Sequence, residues 1–180
     1  MHRASAAGFR ASFNGWDCLF LSGSPFQCGY QHGYLLAERI ADCIGRVALW
    51  AEHDLKRSWG FFRQTAQELY LPRMPDEYKD EINGIVAGAT ARNVKVDFTD
   101  ILALNGYWDT VSYHYWLKLK EGSSQPMVPA HGCSAFVATG SYTRTSEIIM
   151  AHNEWWIYLI DGAANILVHL RPEAGHELIM

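Results

Sequence analysis

The sequence predicts an α+β protein in which a helix-rich region precedes a short β region. Through roughly the first 130 residues, apolar side chains recur at three- and four-residue steps, the spacing of helices that pack on one face. Beyond that point, short apolar runs alternate with turn residues, as in antiparallel strands. A length of 180 residues, 49% of them hydrophobic, allows one domain with a real core. Within it we distinguish two regions, the helix-rich residues 1–132 and the β-rich residues 133–180.

The first half of the helix-rich region begins with a strand and a turn. Residues 13–22 form a short apolar run typical of a strand. The segment 23–34 contains three glycines and a proline, and it is predicted as a turn that leads into a helix. From Leu36, apolar residues at helical spacing predict a helix that runs toward His53.

Three further helices are predicted before the β region. The second helix of the chain covers residues 56–70. Pro75 is followed by two acidic residues, which is a favourable start for the third helix. The fourth helix begins near residue 97 and ends near Leu119.

The β region follows a loop over residues 120–132, a length that is often functional inside a compact domain. Residues 133–140 are apolar at successive positions, which predicts a strand covered on both faces. Residues 147–153 form a second apolar strand, predicted to pair with the first as a hairpin. A further hairpin is predicted from 165–171 and 176–180, with a turn between them.

Charge and composition argue against several classes of partner. The net charge is −4 and the basic residues are scattered, so a nucleic-acid partner is not indicated. No stretch approaches the roughly 20 apolar residues of a membrane span, so no integral membrane segment is expected. The first 16 residues lack the apolar core of a secretory signal, and a cytoplasmic location is the default expectation.

The cysteines do not form a recognisable metal or disulfide framework. The chain has four, at positions 18, 28, 43 and 133, without a Cys-x-x-Cys pair or zinc-ligand spacing. Cys28 and His32 are four residues apart, which on one helical face is more often packing than metal ligation. We expect no metal and no organic cofactor.

Cys133 is the candidate nucleophile because of its position between Gly132 and an apolar strand. Glycine has no side chain to shield its own carbonyl, so the thiolate of the next residue can attack that carbonyl. The peptide would become a thioester, water would cut it, and Cys133 would become a new N-terminus. A free α-amine titrates near pH 7.7–8.0 and can serve as the general base for a neighbouring thiol. The alternative is that Cys133 is a structural residue, a small apolar side chain at the start of a buried strand.

The second strand of the predicted hairpin supplies further candidates. Its end returns beside Cys133, so the Asn153 amide could donate to a developing oxyanion. His152 points to the opposite face, so only one of the two should face the nucleophile directly. Ordinary packing is the alternative for each. The candidate walls of an acyl pocket are aromatic residues: Trp155, Trp156 and Tyr158.

These segments resemble a known group of enzymes. "GCSAFVATG", "IIMAHNEWWIY" and "NILVHLRPEAGHELIM" resemble the start of the mature chain in the isopenicillin-N acyltransferase-like N-terminal nucleophile (Ntn) hydrolases. The phospholipase B-like proteins share the Cys-Ser-Ala opening and an Ala-His-Asn-x-Trp-x-x-Tyr segment, which here ends at Tyr158. Upstream, "GSPFQCGYQHGYLLAERI" and "DFTDILALNG" resemble the propeptide region of the same group.

The resemblance implies an αββα sandwich made by self-cleavage before Cys133. Residues 1–132 would be the helix-rich propeptide or α-chain, and 133–180 the start of the β-chain, both from one precursor. Many relatives carry Asn-x-Asp in the second strand, but here Trp155 takes the third position, so Asp17 and Glu154 are the candidate orienting carboxylates. Family members continue well beyond 48 residues after the cleavage site, so we expect the chain to resemble the first half of such an enzyme.

Three functions stay open at this point. The first is hydrolysis or transfer of an acyl group from an amide, ester or acyl thioester through a thioester on Cys133. The second is lipid deacylation of the phospholipase B-like kind. The alternative of another class is an inactive fragment or non-catalytic binding module in which Cys133 is structural. A papain-type protease would need a separate catalytic histidine, and no matching motif surrounds Cys133.

Overall fold

A computed structural model of the protein describes residues 8–122, 132–154, 157–161, 163 and 165–180. These residues form an α+β fold, as the sequence predicts. The helices are α1 (Pro25–Leu35), α2 (Ala37–Trp50), α3 (Trp59–Thr65), α4 (Asp76–Ala91), α5 (Phe98–Asn105), α6 (Tyr107–Lys120) and α7 (Tyr158–Asp161). The strands are β1 (Phe9–Phe13), β2 (Trp16–Gly23), β3 (Ser134–Gly140), β4 (Ser146–Asn153), β5 (Ile166–Pro172) and β6 (Leu178–Ile179).

One sheet joins the two ends of the chain in the order β1-β2-β5-β6. The β1–β2 and β5–β6 pairs are antiparallel, which confirms the predicted hairpin near the end of the chain. The central pair, β2 with β5, is parallel and runs from Asp17 opposite Ile166 to Gly23 opposite Pro172. The predicted strand at 13–22 is present as β2, whereas β1 was not predicted.

The two faces of this sheet differ in what covers them. Leu19 and Leu21 point from β2 into the main core, where they are 0% and 4% exposed. Alternation along the strands places their neighbours on the opposite face. There Phe9, Phe13 and Trp16 are 54%, 71% and 49% exposed. The helices therefore cover one face, and the other presents apolar side chains at the surface.

Residues 25–34 are helical, and Gly23 ends β2 with only Ser24 between it and the helix, so the predicted glycine-rich turn over residues 23–34 is wrong. Ser24 caps α1 in a capping box with Gln27, and Pro25 occupies the first turn, where its missing N–H costs nothing. Gly29 and Gly33 lie where α1 crosses α4. A Cβ on Gly33 would lie 2.0 Å from the Ile85 carbonyl oxygen. The glycines serve close helix packing instead of breaking the helix.

The close contact between α1 and α4 depends on both helices, because α4 also contributes two glycines. A Cβ on Gly84 would lie 2.2 Å from the backbone oxygen of Phe26, and one on Gly88 would lie 2.1 Å from that of Tyr30. We call the four residues the glycine interlock: Gly29, Gly33, Gly84 and Gly88. Backbone packs directly on backbone along this crossing, which fixes the position of α1 against the edge of the core.

The remaining helices follow the sequence prediction with three differences. The helix predicted over residues 56–70 is α3, which begins at Trp59, followed by a π-helical turn, Ala66–Tyr70. The helix that begins at Asp76 after Pro75 is confirmed as α4. The helix predicted from Leu36 ends as α2 at Trp50, and a π-helical turn, Ala51–Leu55, completes it. The predicted fourth helix is two helices, α5 and α6, which meet at Gly106, where the Tyr70 ring lies 2.3 Å from where a Cβ would be. Among the described residues, no helix is long and apolar enough to cross a membrane.

Candidate active site at the start of a β-hairpin

The predicted hairpin of the second sheet is confirmed, and its register brings the candidate residues to one end. β3 and β4 pair antiparallel, with Ser134 opposite Asn153 and Ala135 opposite His152. Cys133 immediately precedes β3. The end of β4 therefore lies beside the start of β3, and the candidate nucleophile stands at that junction.

The turn at the far end of the hairpin fixes this register. The Thr143 hydroxyl lies 3.1 Å from the Gly140 carbonyl oxygen and 2.9 Å from that of Glu147, so it links both strands. Gly140 and Ser146 have φ values of +57° and +61°, the left-handed conformation of tight turns. A bulge between Ala138 and Gly140 takes up the odd residue. Register matters because a slip of one residue would exchange the two faces.

Cys133 differs from the other three cysteines in its exposure. All four lie within the described residues; Cys133 is exposed, Cys28 is buried, and Cys18 and Cys43 are intermediate. Burial, reinforced by the Glu81 carboxylate, raises the pKa of the Cys28 thiol to about 11. Burial likewise raises the pKa of Cys43. Reagents therefore reach the thiol at position 133 more readily than the protonated thiols in the core.

Gly132 has open space on its Cβ side among the residues that the structure describes. Among the described residues, no atom lies within 4 Å of the point where its Cβ would be, neighbours along the chain excepted. The residue is exposed, as is Cys133 after it. The bond between them lies on the surface, beside the first residue of a strand.

Strand alternation separates the two polar candidates of β4. Asn153 shares a face with its partner Ser134, and His152 shares the other face with Ala135. Continued one residue beyond the last pair, the same register sets Cys133 opposite Glu154 and on the face of His152. The geometry therefore favours His152 over Asn153 as the neighbour of the thiol. Both strand residues are exposed.

The aromatic candidates are only partly described. Trp155 and Trp156 lie outside the described residues. Tyr158 begins the short helix α7 and is 93% exposed, so its ring does not wall a pocket among the described residues. The predicted acyl pocket thus rests on sequence alone.

Of the two candidate orienting carboxylates, Asp17 is already engaged elsewhere. It lies on β2 in the other sheet, 4% exposed, and it accepts bonds of 2.7 Å from Arg10 Nε and Ser12 Oγ. It also pairs with Arg39. Burial alone would raise the pKa of Asp17, but these hydrogen bonds and the two guanidinium charges hold it below its ordinary value. Asp17 is a structural anion between β1, β2 and α2.

The hairpin is exposed on both faces, so the prediction that β3 is covered on both sides is wrong. On the face of Asn153, Phe136 is 58% exposed. On the face of His152, Val137 and Met150 are 58% and 73% exposed. The apolar pattern that suggested a buried strand is real, but the described residues do not cover it.

The described residues were compared with the requirements of a metal site and of a ligand-binding cleft. Among the described residues, no group of three His, Cys, Asp or Glu side chains could hold a metal ion. A cleft of about 350 Å³ opens between α1, α4 and the β5–β6 turn, lined in part by Cys28, Glu77, Glu81 and Glu173. Sequence reasoning missed this cleft because it combines three segments that are far apart in the chain.

Comparison with known proteins finds a distant relative. No protein-family model matches the chain. A protein of Archaeoglobus fulgidus, described only as uncharacterized, is 24% identical over 180 residues. The alignment covers 92% of this chain and 29% of that protein, so the chain spans less than a third of the relative's length. The likeness extends along nearly the whole chain and assigns no activity to it.

Proposed function

We propose that the chain is a self-processing cysteine hydrolase or acyltransferase of the Ntn type, with Cys133 as its nucleophile. One observation carries the proposal: an exposed thiol directly follows a glycine, which has no side chain to shield its carbonyl, and immediately precedes the first residue of a paired strand. The strand holds the backbone in place while the side chain stays open to a substrate. The other cysteines lack this combination of exposure and an unshielded preceding carbonyl.

The proposed processing step consumes one water and needs no other reactant. The Cys133 sulfur attacks the Gly132 carbonyl carbon, and the bond from that carbon to the Cys133 nitrogen breaks. The nitrogen takes up the thiol proton and becomes an α-amine, while the Gly132 acyl group is held as a thioester. Water then hydrolyses the thioester, which frees the Gly132 carboxylate and restores the thiol.

In turnover, the new α-amine acts as the general base for the thiol on the same residue. The substrates we propose are small acyl amides, acyl thioesters or lipids, whose acyl group passes to sulfur. His152 lies on the face that the thiol shares, and the Asn153 amide at the end of β4 is the second candidate donor to the oxyanion.

The finer fold that we propose is an αββα sandwich. Apolar side chains at the surface support a second layer. Phe13 and Trp16 are exposed on the uncovered face of the four-stranded sheet, and Phe136 and Met150 are exposed on the hairpin. Apolar sheet faces of this kind pack about 10 Å from another sheet in sandwiches.

Lipid deacylation of the phospholipase B-like kind is the second candidate. It is favoured by the segment from Ala151 to Tyr158, in which Trp155 stands where amidases of the group carry an aspartate. The alternative of another class is a non-catalytic binding module. That alternative requires the bond before Cys133 to stay intact.

The test is the intact mass of the full-length native protein, wild type and Cys133→Ala. We expect wild type to divide between Gly132 and Cys133, with product masses that sum to the uncut chain plus one water. The Cys133→Ala protein should stay whole, and Cys43→Ala, which changes a partly buried thiol, should divide normally. A wild-type chain that stays whole, with no tagging by 2-cyanobenzothiazole at an N-terminal cysteine, would refute self-processing.

A further inference from the structure

We propose that a trough on the uncovered face of the four-stranded sheet binds a small carboxylic acid that carries an apolar tail. The inference goes beyond the proposed function, because it concerns β1, β2 and β5 and does not require self-processing. The trough has a volume of about 360 Å³. Six residues line it, and we call it the aromatic trough: Phe9, Phe20, Leu21, Ser22, His169 and Arg171.

Strand pairing places the rings of the aromatic trough side by side. Phe9 on β1 lies opposite Phe20 on β2, and Phe20 lies opposite His169 on β5. The Phe9 and Phe20 rings stack with their centroids 4.2 Å apart, and the His169 ring meets the Phe20 ring at 62° with centroids 5.5 Å apart. Phe9 nevertheless remains exposed. The rings therefore offer an apolar surface that a ligand's ring or hydrocarbon tail would cover.

The polar end of the aromatic trough already holds a carboxylate, that of Glu177 in the β5–β6 connection. Arg171 donates to it twice, from Nη2 to Oε1 at 3.1 Å and from Nε to Oε2 at 3.4 Å. His169 Nε2 also pairs with Oε1. His169 and Arg171 are two positions apart on β5 and so lie on one face of the sheet. Their donors therefore converge in the geometry that a planar carboxylate requires.

Glu177 can be exchanged for the carboxylate of a ligand. Its side chain is 47% exposed and that of Arg171 is 68% exposed, so water and salt screen their ion pair. The short glutamate side chain supplies a carboxylate but no apolar tail for the Phe9 and Phe20 rings. A ligand that supplies both replaces one ion pair by an equivalent one and also removes apolar ring surface from water.

The aromatic trough and the proposed second layer concern different parts of the sheet face. Phe13 lies opposite Trp16 at the end of the sheet where the β1–β2 hairpin turns. Ser22 lies opposite Arg171 toward the other end of β2. Because Ser22 also lines the aromatic trough, its hydroxyl is a further donor for a carboxylate bound there.

The experiment compares 3-phenylpropionate with 3-phenylpropionamide, which has nearly the same shape but no charge. Each is titrated at pH 7 into the full-length native protein, and NMR follows the His169 ring signal, identified by its loss in His169→Gln. We expect the acid to bind roughly fivefold more tightly than the amide. Glu177→Gln should bind the acid roughly fivefold more tightly than wild type does, because the competing internal carboxylate is gone. Arg171→Gln should bind the acid no better than the amide, and its unchanged affinity for the amide shows that the variant is folded.

The control is Arg144→Gln, which changes an exposed arginine in the turn of the β3–β4 hairpin. It should bind both compounds as wild type does. Equal affinity of wild type for acid and amide, or wild-type affinity for the acid in Glu177→Gln, would overturn the inference. An unchanged His169 signal in both wild type and Glu177→Gln at the solubility limit of the acid would overturn it as well.

Discussion

A methyl group added to the glycine interlock should destabilise the protein, although alanine is the better helix former. In Gly33→Ala, the new Cβ would lie 2.0 Å from the Ile85 carbonyl oxygen and 2.7 Å from its carbon. Ordinary contact begins at 3.4 Å, so the methyl group is 1.4 Å too close to the oxygen. The obstacle is the backbone of α4, which cannot rotate away as a flexible side chain would.

The helices must therefore separate by about the length of this overlap. A gap of 0.5–1 Å already forfeits a quarter to a half of the dispersion energy of each contact along the crossing. Overpacking costs typically about 1–3 kcal/mol, and the backbone clash here places Gly33→Ala near the upper figure. Replacement of glycine in a helix regains about 1 kcal/mol. We expect a net loss of about 2 kcal/mol in the free energy of unfolding.

Gly45→Ala is the matched control. Gly45 lies in α2 and is exposed, and no atom of the described residues lies within 4 Å of where its Cβ would be. Only the helix-propensity gain applies there, so stability should rise by about 1 kcal/mol. In thermal unfolding followed by circular dichroism, about 2–4 °C per kcal/mol predicts a midpoint roughly 4–8 °C lower for Gly33→Ala and 2–4 °C higher for Gly45→Ala. A Gly33→Ala protein as stable as the Gly45→Ala protein would refute the reasoning.

Three further predictions concern pH, a buried ion cluster and the site. Burial lowers the pKa of His32 to about 4, so between pH 6.5 and 4.5 the unfolded chain is protonated at this residue while the folded chain is mostly neutral. The free energy of unfolding should therefore fall by about 2 kcal/mol from pH 6.5 to 4.5. Urea titrations of His32→Gln should not show this pH dependence. Asp17→Asn should lower the free energy of unfolding by about 2 kcal/mol in urea titrations at pH 7, because Arg10 loses a charged partner. An unchanged unfolding midpoint would show that the ion pairs of Asp17 do not contribute to stability. His152→Ala should slow acylation by p-nitrophenyl acetate more than Asn153→Ala does; a loss of a hundredfold or more at Asn153 alone would instead make its amide the oxyanion donor.

Local patterns were the part of the fold that the sequence predicted well. Pro75 with the acidic residues after it marks the start of α4, because proline fits the first turn and acids favour the helix N-terminus. The β3–β4 hairpin follows from two apolar runs about a turn apart. The spacing from that turn also put Asn153 and His152 beside Cys133. These signals need only neighbouring residues.

The errors arose where the deciding residue is far away in the chain. The glycines of α1 predict a turn when only the local sequence is considered, but α4 crosses the helix at Gly33, and the α4 glycines lie some 50 positions later. The predicted fourth helix divides at Gly106, where the ring of the distant Tyr70 occupies the space that a Cβ would need. The pairing of β2 with β5 has no local signal at all. The exposure of the β3–β4 hairpin likewise depends on what packs against it, and the apolar pattern of the two strands does not predict this.

The parallel β2–β5 ladder decides what a cut before Cys133 does to the molecule. One strand belongs to the chain before that bond and the other to the chain after it, and they pair from Asp17 with Ile166 to Gly23 with Pro172. Ile160, also after the bond, is buried in the core. The two polypeptides would therefore remain a tightly held heterodimer that separates in denaturant but co-elutes in native buffer. Hydrolysis of that one bond would change the covalent structure, while the central ladder would keep both products in one particle.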